Sequence, residues 1–266
     1  MPRKAQTRPW LSRCCYHVSN TCYAPARIFR FANMRELAVK RLLDVKKRYP
    51  VRFLDYLLHP DGYRFLIEAE HPGQITKALQ SFHIGTTHDY CARRDWDGPL
   101  WRQRGTAVTL VQNGPHALRC ALDMDFEMMC AGDEDLFHPL LWKHSGHLEL
   151  SEVRKRYRVT DRDAICRCLM DTPWPTFREW YITASTDRWN SGEFGGEPWW
   201  RMALVVGSQE LCETIADTLP TSWLDLKVYP ALKTVQGLED TMCWTVKMGR
   251  KRTKEYIRSL VPQESE

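Results

Sequence analysis

Residues 51–69 read Val51-Arg52-Phe53-Leu54-Asp55-Tyr56-Leu57-Leu58-His59-Pro60-Asp61-Gly62-Tyr63-Arg64-Phe65-Leu66-Ile67-Glu68-Ala69. Two strand-like runs, Val51 to Leu58 and Tyr63 to Ala69, flank a connection with proline early and glycine last, which is turn chemistry. The spacing predicts a β-hairpin. On its N-terminal side, Asn33 to Tyr49 reads as a helix. Leu37, Val39, Leu42, Leu43 and Val45 give it a broad apolar side, Arg35, Lys40, Arg41, Lys46, Lys47 and Arg48 face water or an acidic partner, and Pro50 ends it. Cys15 to Thr21 precedes it as a strand. On the C-terminal side, Gln74 to Arg94 is expected as a second helix, Ala107 to Val111 as a short strand and Pro115 to Ala131 as a third helix. The order strand, helix, strand, strand, helix, strand is the ferredoxin-like plan. It is an α+β fold whose antiparallel sheet carries its two principal helices on one face.

Beyond residue 150 the character changes. Val153 to Arg158 is rich in Arg and Lys, Asp161 to Met170 and Phe177 to Ala184 look helical, and Asn190 to Pro198 is a Gly-rich loop. Met202 to Val206 resembles a short buried strand, and Gln209 to Leu219 an amphipathic helix. This divides the chain into a basic arm (1–13), a main domain (14–150) and a mixed helical/β C-terminal extension (151–266) with a basic tail from Gly249 to Arg258.

The chain has 266 residues, 43% of them apolar, enough for a sizeable core. It contains no apolar run near membrane-spanning length, so no membrane partner is expected. Its N-terminus is basic with no apolar stretch after it, unlike a secretory signal, and a cytoplasmic protein is the simplest reading. The ten cysteines include no CxxC pair and no zinc-ligand spacing, so they read as small buried hydrophobes in a reducing compartment. A net charge of +5 permits nucleic-acid binding without requiring it. Eleven tryptophans are mostly core by expectation, with exposed ones able to stack on unpaired bases.

Several segments, taken in order, resemble one family. Cys15-Tyr16-His17-Val18 is similar to the "YHV" opening strand of the REP-associated tyrosine transposases, members of the single-tyrosine HUH superfamily. His59 to Ile67 stands where they carry a "PNHxHLLV" strand, and Gly85 to Trp101 is similar to their tyrosine-bearing helix and the turn after it. Asp125 to Gly132 resembles "DLNMVRAG"; His138-Pro139 and Trp142 to Gly146 follow at suitable spacing, and Met202 to Ser208 resembles "LAVGS".

The resemblance implies a tyrosine nucleophile, matched by Tyr90, and a divalent metal (magnesium or manganese) held by two histidines two apart on one strand, where alternate residues share a face. Those positions fall on Gly62 and Arg64, neither of which ligates a metal: glycine has no side chain, and a guanidinium stays protonated. No cofactor is therefore expected. The residue after the tyrosine, usually asparagine, is Cys91, and the acidic turn reads Trp101-Arg102-Gln103-Arg104. Acids and imidazoles have given way to guanidiniums.

The reading is of a catalytically inactive, transposase-like protein that binds hairpin or single-stranded DNA without cutting it. Arg64, Arg93, Arg94, Arg102 and Arg104 are the candidate phosphate contacts, Trp96 and Trp101 the candidate stacking residues, and Arg3 and Lys4 a candidate arm along phosphates or in a groove. The blander readings are a packed helix-face tyrosine for Tyr90, solvated surface for the arginines, core for Trp101, and a satisfied sheet histidine for His17. His59 and Asp61, two apart, are a weak candidate for a replacement metal pair. Two other function classes remain open: an active metal-dependent nicking enzyme using Tyr90, and a protein-interaction subunit of a larger complex.

Overall fold

The computed structural model describes residues 14–23, 26–102, 105–131, 138–192, 194, 199–218, 224–233 and 235–248. Strands β1 (Cys14–Thr21), β2 (Val51–His59), β3 (Gly62–Ala69) and β4 (Ala107–Gln112) are interleaved with helices α1 (Ala32–Arg48) and α2 (Pro72–Arg94). The strands lie in the order β2-β3-β1-β4, and every neighbouring pair is antiparallel, as the ferredoxin-like plan requires.

Helix α1 buries Met34, Ala38, Leu42 and Val45, spaced to form one stripe, and its last turn carries Lys46, Lys47 and Arg48, where cations offset the helix dipole. Helix α2 starts at Pro72, and the Gln74 side chain accepts from the Glu70 and His71 amides at 3.1 and 3.2 Å. Ile75, Ala78, Leu79, Phe82 and Tyr90 face the sheet. The two helices are clamped by Arg41, whose Nε and Nη2 each donate to Asp89 at 2.8 Å. Both helices cover the face that displays Tyr16, Val18, Tyr63, Phe65 and Leu110.

The other face, showing Cys15, Leu66 and Val111, is covered too. Helices α3 (Pro115–Phe126), α4 (His147–Leu150), α5 (Arg162–Ile165), α6 (Trp174–Ser191) and α7 (Trp199–Met202) follow β4, and residues of α3, α5, α6 and α7 pack there with Cys15, Leu66 and Val111. Strand β5 (Val205–Gly207) then pairs parallel with β4, and β7 (Cys243–Met248) and β6 (Leu224–Tyr229) continue the sheet to seven strands, with α8 (Gln209–Thr218) between β5 and β6. The C-terminal region thus completes the sheet begun by the N-terminal one. Among the described residues no helix is long and apolar enough to cross a membrane.

Some boundaries differ from the sequence reading. The third helix stops being α-helical at Phe126, and Glu127–Ala131 tighten into a 3-10 turn. The 161–170 segment is one α turn followed by a π turn, Cys166–Met170. Helix α6 extends to Ser191 and ends on Gly192, whose φ of 69° suits glycine. Met202 closes α7, and the short buried strand starts only at Val205. Strands β6 and β7 were not anticipated.

A chain ended at Leu150 is expected to lose cooperative unfolding, because Cys15, Leu66 and Val111 would lose much of their cover. A denaturant titration of that fragment followed by near-ultraviolet circular dichroism checks this; a sharp transition like that of the full chain would contradict it.

Candidate nucleic-acid interface

Gly62 and Arg64 lie two apart on β3, on the sheet face away from α1 and α2. Arg64 is only 2% exposed. Its Nη1 donates to the Tyr63 carbonyl at 2.8 Å, and its Nη2 donates to Glu127 Oε1 at 2.9 Å. Arg201, from α7, donates to the same carboxylate oxygen. Burial works to raise the Glu127 carboxyl, but the Arg64 and Arg201 charges outweigh it and hold the group below its usual range. His17, next to them on β1, is pushed down to about 3 by burial and by the Arg64 charge. It is therefore neutral, and because its Nδ1 lies 2.9 Å from the Trp200 carbonyl, which only accepts, Nδ1 carries the proton. Thr109 Oγ1 lies 2.7 and 2.8 Å from the Trp200 and Ala203 carbonyls. Together these contacts fasten α7 over the strand.

This arrangement corrects the expectation for Arg64. Its guanidinium is not offered to a phosphate; it is the buried partner of Glu127. Nor do the two positions fit a divalent metal. A Cβ placed on Gly62 would lie 2.0 Å from the Asn20 carbonyl oxygen, so a ligand side chain requires the backbone to move. His59 and Asp61 are engaged separately: His59 Nδ1 accepts from the Asp61 amide at 3.2 Å, and the Asp61 carboxylate lies 3.7 Å from Arg27.

Tyr90 is 5% exposed and belongs to the layer on the opposite sheet face. Its hydroxyl donates to the Ala26 carbonyl at 2.9 Å, and its ring meets Trp96 edge-on with centroids 6.2 Å apart. Burial raises the phenol above its ordinary range, against the pull of Arg94. Tyr90 thus lies on one side of the sheet and the Gly62/Arg64 pair on the other.

Arg93 and Arg94 are exposed at the end of α2. Arg93 Nη1 donates to the Asp89 carbonyl at 3.1 Å, and the Arg94 guanidinium sits 3.7 Å above the Phe31 ring. Trp96 is half-buried, with its indole N–H donating to the Gly98 carbonyl at 2.8 Å. Trp101 is half-buried and packs against the core: it stacks on His83 at 4.7 Å and meets Phe29, Tyr63 and Phe82 within 6.1 Å. His83 therefore already takes one face of its ring. Arg102 is exposed, held by its amide to the Thr21 carbonyl at 3.2 Å. Arg3, Lys4, Arg104 and the basic tail lie outside the described residues.

A second polar cluster was not foreseen. Asp55 faces the α3 side after a bulge between Phe53 and Asp55 and is fully buried. Its Oδ1 accepts from the Tyr56 amide at 2.7 Å, and Gly146 sits so close that a Cβ there would lie 2.1 Å from that oxygen. Tyr181 donates to Asp125, so the contact of His147 Nδ1 with the Tyr181 oxygen at 2.7 Å has the imidazole as donor. Glu149 accepts from the Tyr56 hydroxyl at 3.0 Å and from the Thr160 amide and hydroxyl at 2.9 Å each. Burial pushes the Asp55 carboxyl well above its ordinary 3.8; Asp125 and Glu149 push it the same way, against the Tyr56 amide.

No family model matches the chain, and no curated protein matches it. Among solved structures, one of a REP-associated tyrosine transposase bound to a REP hairpin is similar over 59% of this chain and 94% of that chain, with 12% identity and a TM-score of 0.46.

The Asp55 environment gives a signed prediction. The native state holds this proton more tightly than the unfolded chain does. Its contribution to stability is complete below pH 3.8 and is lost as pH rises towards the raised native value. Asp55→Asn keeps the oxygen that accepts from Tyr56 and removes the titration. Its stability relative to the parent chain is expected to rise as pH climbs above 3.8 towards the raised native value. Urea titrations across that range measure this, and a constant difference would contradict it.

Proposed function

We propose that this chain binds DNA bearing a hairpin or an unpaired strand and does not cut it. The observation that carries the second half is the Arg64–Glu127–Arg201 cluster beneath α7. It fills the position where the family resemblance puts a catalytic metal, while Tyr90 is bonded to a backbone carbonyl on the other face. The resemblance read from the sequence supplies the hairpin as ligand. Exposed Arg93, Arg94 and Arg102, on a chain with net charge +5, supply phosphate contacts. Two of these cations are already positioned, Arg93 by a carbonyl of its own helix and Arg94 by the Phe31 ring, so less side-chain freedom is lost on binding.

Fluorescence anisotropy of a labelled hairpin across salt concentrations tests the binding. Each phosphate contact contributes about 0.7–0.9 to the log–log salt slope, so Arg93→Ala with Arg94→Ala and Arg102→Ala should flatten it by about two units. Arg64→Ala should act differently. It removes one of the two guanidiniums on Glu127 and keeps Arg201 as the other, with an expected stability loss of about 1–3 kcal/mol, and leaves the salt slope of the folded fraction unchanged. A parent chain that binds no DNA at low salt would overturn the reading in favour of a protein-interaction role.

A further inference from the structure

The segment between α4 and α5 is a rigid basic loop with an unused tip. Its first half is anchored by Arg154, whose amide donates to the Leu148 carbonyl at 2.7 Å and whose Nη1 donates to the Tyr56 hydroxyl at 2.8 Å. The second half is anchored at Thr160, through Glu149 and through Lys46 Nζ donating to the Thr160 carbonyl at 2.8 Å. Arg158 Nε closes the turn onto the Arg154 carbonyl at 3.2 Å.

Between these anchors Lys155, Arg156 and Tyr157 stand in solvent. Tyr157 is 81% exposed, the most exposed large hydrophobic side chain among the described residues. Its φ is 54°, a left-handed conformation that non-glycine residues adopt at a cost. The fold thus holds an aromatic ring outward, between cations, in a strained backbone.

The flank of the loop holds a second feature. Glu152 is approached by Arg158 at 3.7 Å, by Arg178 at 3.3 Å and by Arg162, and its Oε1 accepts from the Trp174 indole at 3.2 Å. Arg162 also stacks on Trp174 at 4.4 Å. Three guanidiniums meet one carboxylate, so two positive charges remain unneutralised by Glu152. Planar guanidiniums that share a single carboxylate suit phosphate oxygens as further acceptors.

We propose that this loop is a docking surface for single-stranded DNA, in which Tyr157 stacks on an unpaired base. Lys155, Arg156 and the Arg158, Arg162 and Arg178 group hold the flanking phosphates. A ring at a loop tip reaches a base face only where the base is unstacked, which selects an unpaired strand over a duplex. An acidic peptide would answer the charges but leaves the ring without a partner. The proposal rests on the DNA-binding reading above and adds a surface distinct from the end of α2.

The test compares a hairpin carrying an unpaired tail with a blunt hairpin of the same stem, by fluorescence anisotropy. Tyr157→Gly removes the ring and relieves the left-handed strain, so the thermal midpoint should hold or rise. Tail-dependent affinity should fall roughly 5- to 100-fold, with blunt-hairpin affinity unchanged. Tyr157→Trp should keep the tail-dependent gain. Lys155→Ala with Arg156→Ala should weaken tailed-hairpin binding and flatten its salt slope. If Tyr157→Gly binds the tailed hairpin as the parent does, the loop proposal fails while the DNA-binding reading stands. If the parent binds neither hairpin, both fail. If poly-glutamate displaces the tailed hairpin better than an unlabelled single strand does, the surface takes an acidic protein and the proposal is overturned.

Discussion

A guanidinium on a central strand, sealed from water, demands a carboxylate, and Glu127 meets that demand for Arg64. Burying one charge of such a pair without the other costs several kcal/mol, so the end of α3 and the strand must stay in register. Arg201 brings α7 to the same oxygen, and the Trp200 carbonyl receives both His17 and Thr109. From this one ion pair follows the closure of the sheet face: what lies over β3 and β1 is protein. The same contact explains why the position could not act as a metal site by swapping side chains. The Asn20 carbonyl blocks position 62, and position 64 holds a charge that Glu127 needs.

The buried network around Asp55, Asp125, His147, Glu149 and Tyr181 serves the neighbouring part of the same face. It ties β2, α3, α4 and α6 together through hydrogen bonds. Arg154 and Thr160 extend it outward to the basic loop. The interior polar groups therefore have an exterior consequence, because they fix the stems of the segment that presents Lys155, Arg156 and Tyr157.

Much of this fold could be read from the sequence. The Val51–Ala69 hairpin and the apolar side of α1 are local patterns, and local patterns dictated the βαββαβ order, although of Leu37, Val39, Leu42, Leu43 and Val45 only Leu42 and Val45 belong to the buried stripe, which Met34 and Ala38 complete. Strand β6 was also readable, since Leu224-Asp225-Leu226-Lys227-Val228-Tyr229 alternates with period two. The cover on the second face was not readable, since it depends on contacts such as Arg64–Glu127 and His17–Trp200, 63 and 183 positions apart. The same holds for Arg64: its type was visible, its partner was not. Exposed Arg93, Arg94 and Arg102 stand where a surface reading puts them, whereas Trp101, beside arginines in sequence, is half-buried against the core. The Val153–Arg158 run was visible as charge, but only the backbone shows that its tyrosine is held outward.

We propose that the chain holds DNA through surface cations while protein closes the Gly62/Arg64 position. This is tested most directly by incubating the full chain with an end-labelled tailed hairpin and manganese, isolating the retarded complex, and releasing the DNA with detergent. The account predicts a retarded complex that releases only intact strand. A shortened strand, or a detergent-resistant protein–DNA adduct that disappears in Tyr90→Phe, would contradict it.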